Sequence, residues 1–136
     1  VKLHQEVFNS IYEKYEGHTW YVQCLLNRLY GYDRNVDMEL VAYVTGQILS
    51  EYSYMYADLL KTYSFGQVRL LKAIAREACV KEVLAGDFIS AHKLRAASSV
   101  SASLKKLLDN ELIYQTPCGY IIYDRFMSEW LRKQPF

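Results

Sequence analysis

Proline is scarce in this chain of 136 residues, as are several patterns that mark common protein classes. The two prolines are Pro117 and Pro135, so no proline-rich linker interrupts the chain before them. No stretch reaches the roughly 20 apolar residues of a membrane-spanning helix, and no N-terminal signal pattern is present. The sequence therefore predicts a cytoplasmic protein that does not use a membrane as a partner.

Cysteine is also scarce. Cys24, Cys79 and Cys118 are odd in number, widely spaced and form no CxxC pair. Structural zinc needs about four ligands, usually in tight pairs. The spacing predicts no metal site, and it favours free, mostly buried thiols in a reducing compartment.

Catalytic motifs are absent. The chain contains no GxxxxGK[ST] loop, no GxGxxG, no GxSxG and no HExxH. The three histidines, His4, His18 and His92, fall in different predicted elements. The sequence thus predicts no catalytic residue, and a free-standing enzyme is the least favoured hypothesis.

Charge is nearly balanced overall but unevenly distributed. Residues 1–62 carry 5 Lys and Arg against 8 Asp and Glu, whereas residues 63–136 carry 11 against 7. A basic excess in the second part is what a nucleic-acid surface requires, although many solvated surfaces have the same charge.

Helical periodicity dominates the first part of the chain. It predicts one helix from Leu3 to Glu16 that ends at Gly17 in the C′ position, and a second from His18 or Thr19 to about Tyr30. A long third helix follows, capped by Asp37. No strand pattern occurs here, and the tyrosines of the third helix are typical of a core more than of a stacking surface. We place a soft boundary at residues 61–64.

The second part is organised around residues 98–124, which read as helix, strand, turn and strand. Val100, Leu104, Leu107 and Leu108 share one helical face, and Ser98 or Ser99 is the expected N-cap. Two β-prone runs, at 112–114 and 120–123, flank a turn that contains Pro117 and Gly119. This order is typical of the recognition helix and wing of a winged helix-turn-helix.

The neighbouring segments complete that unit. Ser64 opens an amphipathic helix, Gly86 to His92 reads as a short helix, and Asp124 caps a last helix. Residues 79–84 are ambiguous between a loop and a short strand. The predicted fold is mostly α: a three-helix bundle over residues 1–63, then a winged helix-turn-helix domain over 64–136 with a small two- or three-stranded β-wing.

The link between the first two predicted helices reads Gly17-His18-Thr19-Trp20-Tyr21-Val22-Gln23. This run is similar to the lid-helix motif G-H-P-x-Y-x-Q, and with the order of elements it resembles a known family, the archaeal-type and STAND-like AAA+ ATPases. The segments Gly66 to Arg76 and Ser98 to Leu131 are similar to the winged-helix part of that family. One departure is Thr19, which stands where the family often has proline; we expect threonine to cap the helix instead.

The resemblance implies a helical lid at 1–63 and a winged helix at 64–136, both following a P-loop ATPase domain. Because the chain starts with Val1 rather than Met, we expect it to be part of a longer protein with that domain N-terminal to it. ATP and Mg²⁺ would then belong to the full-length ATPase, with no cofactor in this chain. The resemblance also implies a nucleotide-proximal role for Gly17, His18, Thr19 and Tyr21.

Two functions remain open. The favoured one is a non-catalytic regulatory and interaction module that responds to the nucleotide state of the ATPase domain. Its partly exposed aromatic surfaces would include Trp20, Tyr54, Tyr63 or Phe136, and a homo-oligomer contact is another use for them.

The alternative is a winged-helix DNA-binding domain, for example of a transcription regulator, that contacts mainly phosphates. Its candidate residues are Lys93, Arg95, Ser98, Ser99, Lys105 and Lys106. Two features disfavour specific reading of DNA. The predicted wing has no Lys or Arg, and the exposed helix face lacks the Arg, Asn or Gln that make bidentate base contacts. The biological process stays open.

Overall fold

The computed structural model describes residues 2–135, in which two compact units are distinguished. The first ends at Tyr52 and the second begins at Ser53. No helix in this described part is long and apolar enough to cross a membrane. The elements are, in chain order, β1 (Lys2–Leu3), α1 (Gln5–Lys14), α2 (Thr19–Leu29), β2 (Asn35–Val36), α3 (Met38–Leu60), α4 (Phe65–Glu77), α5 (Gly86–Ala91), α6 (Ala97–Asp109), β3 (Ile113–Gln115), β4 (Tyr120–Ile122) and α7 (Arg125–Arg132).

The first unit contains α1, α2 and the N-terminal part of α3. Each helix buries one apolar stripe, with Ile11, Leu25 and Ile48 almost fully buried. Asp37 caps α3 as predicted, because its Oδ1 accepts from the Leu40 amide at 2.8 Å. Arg28 of α2 donates two hydrogen bonds to Glu51 of α3, at 2.8 and 2.7 Å.

The end of α1 corrects one prediction. The C-cap is Tyr15, so the C′ position belongs to Glu16 (φ 52°) and not to Gly17. The Glu16 amide bonds to the Glu13 carbonyl and the Gly17 amide to that of Tyr12, which is the pattern of a Schellman motif. Gly17 is therefore the next residue on, also left-handed (φ 73°).

A short parallel β-pair in the first unit corrects the expectation of helices alone. β1 and β2 pair with Lys2 opposite Asn35 and Leu3 opposite Val36. Two-residue strands are too short to show the alternation that identifies a strand in sequence. Their pairing depends on a partner more than 30 residues away in the chain, which a local pattern does not contain.

The second unit is a winged helix. Ser64 and Gln67 form a capping box at the start of α4, which confirms the predicted helix start at Ser64. α4 packs against α6 and α7, and the core between them includes Leu71, Ile74 and Leu107. α5 is the short helix predicted between α4 and the recognition helix.

The wing is an antiparallel pair of β3 and β4, in which Tyr114 faces Ile121. The ambiguous segment 79–84 contributes an isolated antiparallel bridge between Val80 and Tyr120. The wing therefore has two strands and a one-residue third. The mostly α fold with a winged helix and a small β-wing is confirmed.

The last turns of α3 belong to the second unit. Tyr56 Oη donates to Asp124 Oδ2 at 3.0 Å, and Trp130 Nε1 donates to Ser53 Oγ at 3.0 Å. The Tyr56 and Trp130 rings lie 5.4 Å apart. Asp124 also caps α7, as predicted, by accepting from the Met127 amide. The predicted domain division at residues 63 and 64 stays a prediction.

The cysteines correct another prediction. Cys79 and Cys118 form a disulfide between positions 39 residues apart, with Cα atoms 6.4 Å from each other, a normal separation for a disulfide. Cys24 alone is a free, half-buried thiol. The expectation of three free thiols was wrong because the wing turn brings Cys118 beside the segment that follows α4. The cytoplasmic location and the absence of a metal stay predictions.

Candidate functional site

The recognition helix α6 exposes small side chains in its N-terminal part. Val100 and Leu107 are buried, whereas Ser98, Ser99 and Ala102 are exposed. Neither serine is the N-cap: that position belongs to Ala96, without a side-chain hydrogen bond, and the helix starts at Ala97. The predicted serine cap was wrong because the helix begins earlier. The hydroxyls instead lie within the first turn.

The turn before α6 carries two of the predicted cationic candidates. Lys93 and Arg95 are exposed and form no ion pair with any residue in the described range. Lys93 is left-handed, with φ 54°. Arg69 of α4 holds this turn, because its Nε donates to the carbonyls of His92 and Lys93 at 3.3 and 3.2 Å.

The two lysines further along α6 differ from each other. Lys105 donates to Asp109 Oδ2 at 2.8 Å. That hydrogen bond, with the charge of the carboxylate, raises the pKa of Lys105. Lys106 is exposed and forms no ion pair within residues 2–135. Part of the positive charge on this helix is therefore offset within the helix itself.

The wing turn is uncharged and tightly closed. Thr116 and Gly119 exchange two backbone hydrogen bonds, at 2.8 and 3.0 Å. Gly119 has φ 139°, and a Cβ there would lie 2.5 Å from the Val80 carbonyl oxygen. The disulfide of Cys118 ties the same turn to Cys79. This part of the wing offers no cation to a phosphate.

A family comparison matches this unit. The model of a family described as "Probable winged helix domain" matches residues 54–133. The chain belongs to this winged-helix family. The match begins within α3, where Tyr56 contacts the start and the body of α7. The search of curated proteins and the search of solved structures gave no match.

The predicted lid residues lie in the first unit, outside the winged-helix match. Gly17 and His18 connect α1 to α2, and Thr19 is the first residue of α2. His18 is the N-cap without a side-chain hydrogen bond, so the expected threonine cap was wrong. A Cβ on Gly17 would lie 2.8 Å from Tyr12 Oη.

Aromatic rings surround this turn. Tyr21 contacts Tyr15, His18 and Trp20, with ring centroids 5.6, 6.1 and 5.1 Å apart. Trp20 is 59% exposed. Three of the four predicted residues, Gly17, His18 and Thr19, are consecutive, and Tyr21 joins them through its ring contact with His18. Their nucleotide-proximal role stays a prediction.

The predicted aromatic surfaces are exposed to different degrees. Tyr54 is 81% exposed and lies in the second unit, whereas Tyr63 is half-buried and accepts from Asn110 Nδ2 at 2.9 Å. Phe136 lies outside the described residues. Sequence reasoning missed Phe65, which is 70% exposed at the start of α4. Its spacing fits the apolar stripe of α4, and only its position as the first residue of that helix indicates exposure.

Proposed function

We propose that the chain is the non-catalytic lid and winged-helix module of an AAA+ type, ATP-binding protein. In this proposal a P-loop domain of the same polypeptide binds ATP and Mg²⁺. The module described here changes its contacts with the nucleotide state and acts in regulation and interaction. The chain itself supplies no catalytic residue.

The winged-helix surface supports an interaction role. Its recognition helix presents serines, alanines and two lysines, of which Lys105 is paired with Asp109, and its wing turn is uncharged. Sequence-specific readers commonly use Arg, Asn or Gln on base edges, and none of these is on the exposed face of α6. The observation that carries the proposal is the lack of Arg, Asn and Gln on the exposed face of the recognition helix.

The turn between α1 and α2 supports the ATPase context. His18 is the N-cap of α2, and its side chain makes no capping hydrogen bond. The positive end of the helix dipole at such an N-terminus favours a phosphate. This turn bears the motif that resembles the AAA+ lid helix, and His18 and Thr19 are exposed on it.

The reading frame upstream of Val1 and the complete protein provide the test. We expect a P-loop to be encoded upstream, and we expect His18→Ala to lower the ATP hydrolysis rate of the complete protein. His4→Ala is the matched control, because His4 is also an exposed N-cap without a side-chain hydrogen bond. Absence of a P-loop, or equal effects of the two substitutions, would refute the ATPase context.

A second candidate function is weak, phosphate-dominated DNA binding. It is favoured by the positions of Lys93, Arg95 and Lys106, which are exposed and without ion pairs in the described part of the chain. Ser98 and Ser99 lie between them at the start of α6. Hydroxyls and lysines at a helix start are typical phosphate contacts.

Fluorescence anisotropy with random duplex DNA tests this candidate. About four phosphate contacts predict a log–log salt slope of roughly −0.9 per contact. Lys105→Glu with Lys106→Glu should weaken binding, whereas Lys61→Glu with Lys133→Glu makes the same charge change away from α6. Undetectable binding at low salt, or equal effects of the two pairs, would eliminate the DNA function.

A further inference from the structure

A small apolar cavity lies beside the start of α6, in the second unit. It is lined by side chains of α4, of the turn at 93–95 and of α6, and its volume is about 70 Å³. The apolar part of its lining comes from Phe65, Leu70, Leu94 and Val100. Phe65 is mostly exposed at the edge of the cavity, so its ring is available to a partner.

Three cations line the same cavity, and no acidic residue does. Arg69 lies 5.8 Å from the centroid of the Phe65 ring and is anchored to the turn carbonyls. Lys93 and Arg95 are exposed and unpaired among residues 2–135. The surface therefore joins an apolar recess to a positive rim.

The size of the recess limits what enters it. A dry cavity of about 150 Å³ accepts benzene, and typical small-molecule pockets hold about 300 Å³ or more. A recess of about 70 Å³ is about half the size of that benzene cavity and suits one small aliphatic side chain. The positive rim in turn complements carboxylates on both sides of that side chain.

We propose that this cavity binds an acidic peptide segment of a partner protein, with one aliphatic side chain seated in the recess and flanking carboxylates on Lys93 and Arg95. This names a partner class for the interaction role proposed above and rests on that role, not on the ATPase context. Duplex DNA offers phosphates to the rim but no aliphatic side chain to the recess.

Gly66 allows the recess to be blocked without disturbing the fold. It lines the cavity, and a Cβ there would meet only Ser103 Oγ, at 3.9 Å. A leucine at this helical position would therefore extend into the recess. Gly86→Leu is the matched control, because a Cβ at Gly86 meets nothing within 4 Å. Circular dichroism verifies that both variants are folded.

The probe is a labelled synthetic peptide in which one leucine is flanked on each side by aspartates, and binding is measured by anisotropy. We expect saturable binding that weakens at least about tenfold when serine replaces the peptide leucine or when Gly66→Leu blocks the recess. Arg95→Glu should also weaken it, whereas Gly86→Leu and Lys133→Glu should not.

Three results would overturn the proposal. The first is no saturable binding at low salt. The second is equal binding of the leucine and serine peptides, which would indicate charge attraction alone. The third is random duplex DNA that binds with the same dependence on Arg95 while Gly66→Leu changes nothing, which would assign the rim to nucleic acid. These results do not depend on whether a P-loop is encoded upstream, so they test the peptide proposal separately from the ATPase context.

Discussion

At the scale of single residues, the wing depends on one glycine and one cysteine. Gly119 adopts φ 139° and lies directly against the Val80 and Lys81 backbone. Cys118, its neighbour, is bonded to Cys79. Both residues join the wing turn to the segment after α4, so both determine where the wing lies within the second unit.

Gly119→Ala should destabilise the second unit. The new Cβ would lie 2.5 Å from the Val80 carbonyl oxygen, in a backbone conformation that side chains rarely adopt. Strain of this kind costs about 1–3 kcal/mol, and displacement of the Val80 bridge adds to it. Chemical denaturation measures the loss. Gly86→Ala, which meets no atom, should leave the free energy of unfolding almost unchanged; equal effects would contradict the steric argument.

Reduction of the Cys79–Cys118 disulfide should also lower stability. The disulfide closes a loop of 39 residues. Loss of chain entropy in the unfolded state makes such a bond stabilising by about 4 kcal/mol. Thermal melts with and without a reductant, and of the Cys118→Ser variant, measure the effect. Cys24→Ser removes the free thiol and should melt as the unaltered protein does. Identical melts of oxidised and reduced protein would show that the bond contributes nothing.

At the scale of elements, helix ends separate serines that look alike in sequence. Ser64 Oγ accepts from the Gln67 amide at 3.2 Å, and the Ser64 amide donates to Gln67 Oε1 at 2.9 Å. Ser98 is inside the first turn of α6 and caps nothing. The residue that caps a helix depends on where the preceding turn ends. For α6, Arg69 holds that turn through the carbonyls of His92 and Lys93.

Ser64→Ala should therefore cost about 1 kcal/mol of stability, the usual value of a lost N-cap. Ser98→Ala is the control and should be neutral or slightly stabilising, because alanine is the better helix former. Urea denaturation of the two variants gives the comparison. A larger loss for Ser98→Ala would place the cap of α6 at that serine.

The ion pair between Arg28 of α2 and Glu51 of α3 predicts that the stability of the first unit depends on pH. The hydrogen bonds from Arg28 lower the pKa of Glu51, and those to Glu51 raise the pKa of Arg28. Since the folded-state pKa of Glu51 lies below its unfolded value, the pair stabilises the protein above the unfolded pKa. This contribution is lost as the pH falls through the folded pKa.

Glu51→Gln should thus be slightly less stable at neutral pH, and the difference should disappear in acid, once the pH lies below the folded-state pKa of Glu51. The carboxylate is exposed, so high salt should reduce the difference too. Unfolding curves at both pH values measure it. Glu13→Gln removes an exposed carboxylate with no ion pair in the described residues and should show no such pH-dependent loss. A difference that persists in acid would rule out the ion pair as its cause.

At the scale of the whole molecule, we propose that a separate P-loop domain hydrolyses ATP. This predicts that the purified chain hydrolyses no ATP. The chemistry needs a phosphate-binding loop, and the sequence of this chain has none. Phosphate release in the presence of ATP and Mg²⁺ is the measurement, with a buffer blank as reference. ATP hydrolysis that co-purifies with the folded chain would show that the chain is itself an enzyme.

The sequence by itself determined the helical stripes, the caps at Asp37, Ser64 and Asp124, and the strand–turn–strand of the wing. These depend on residues a few positions apart, so a local pattern contains them. The sequence also predicted the cationic candidates Lys93 and Arg95 on the turn before α6.

Only the tertiary structure decided the rest. It paired Cys79 with Cys118, placed Val80 on Tyr120, and joined Tyr56 to α7. It also brought Phe65 and Arg95 to the lining of one recess. Each of these pairs joins residues separated by roughly 30 positions or more, and sequence spacing carries no information about which distant segments meet until the core has packed.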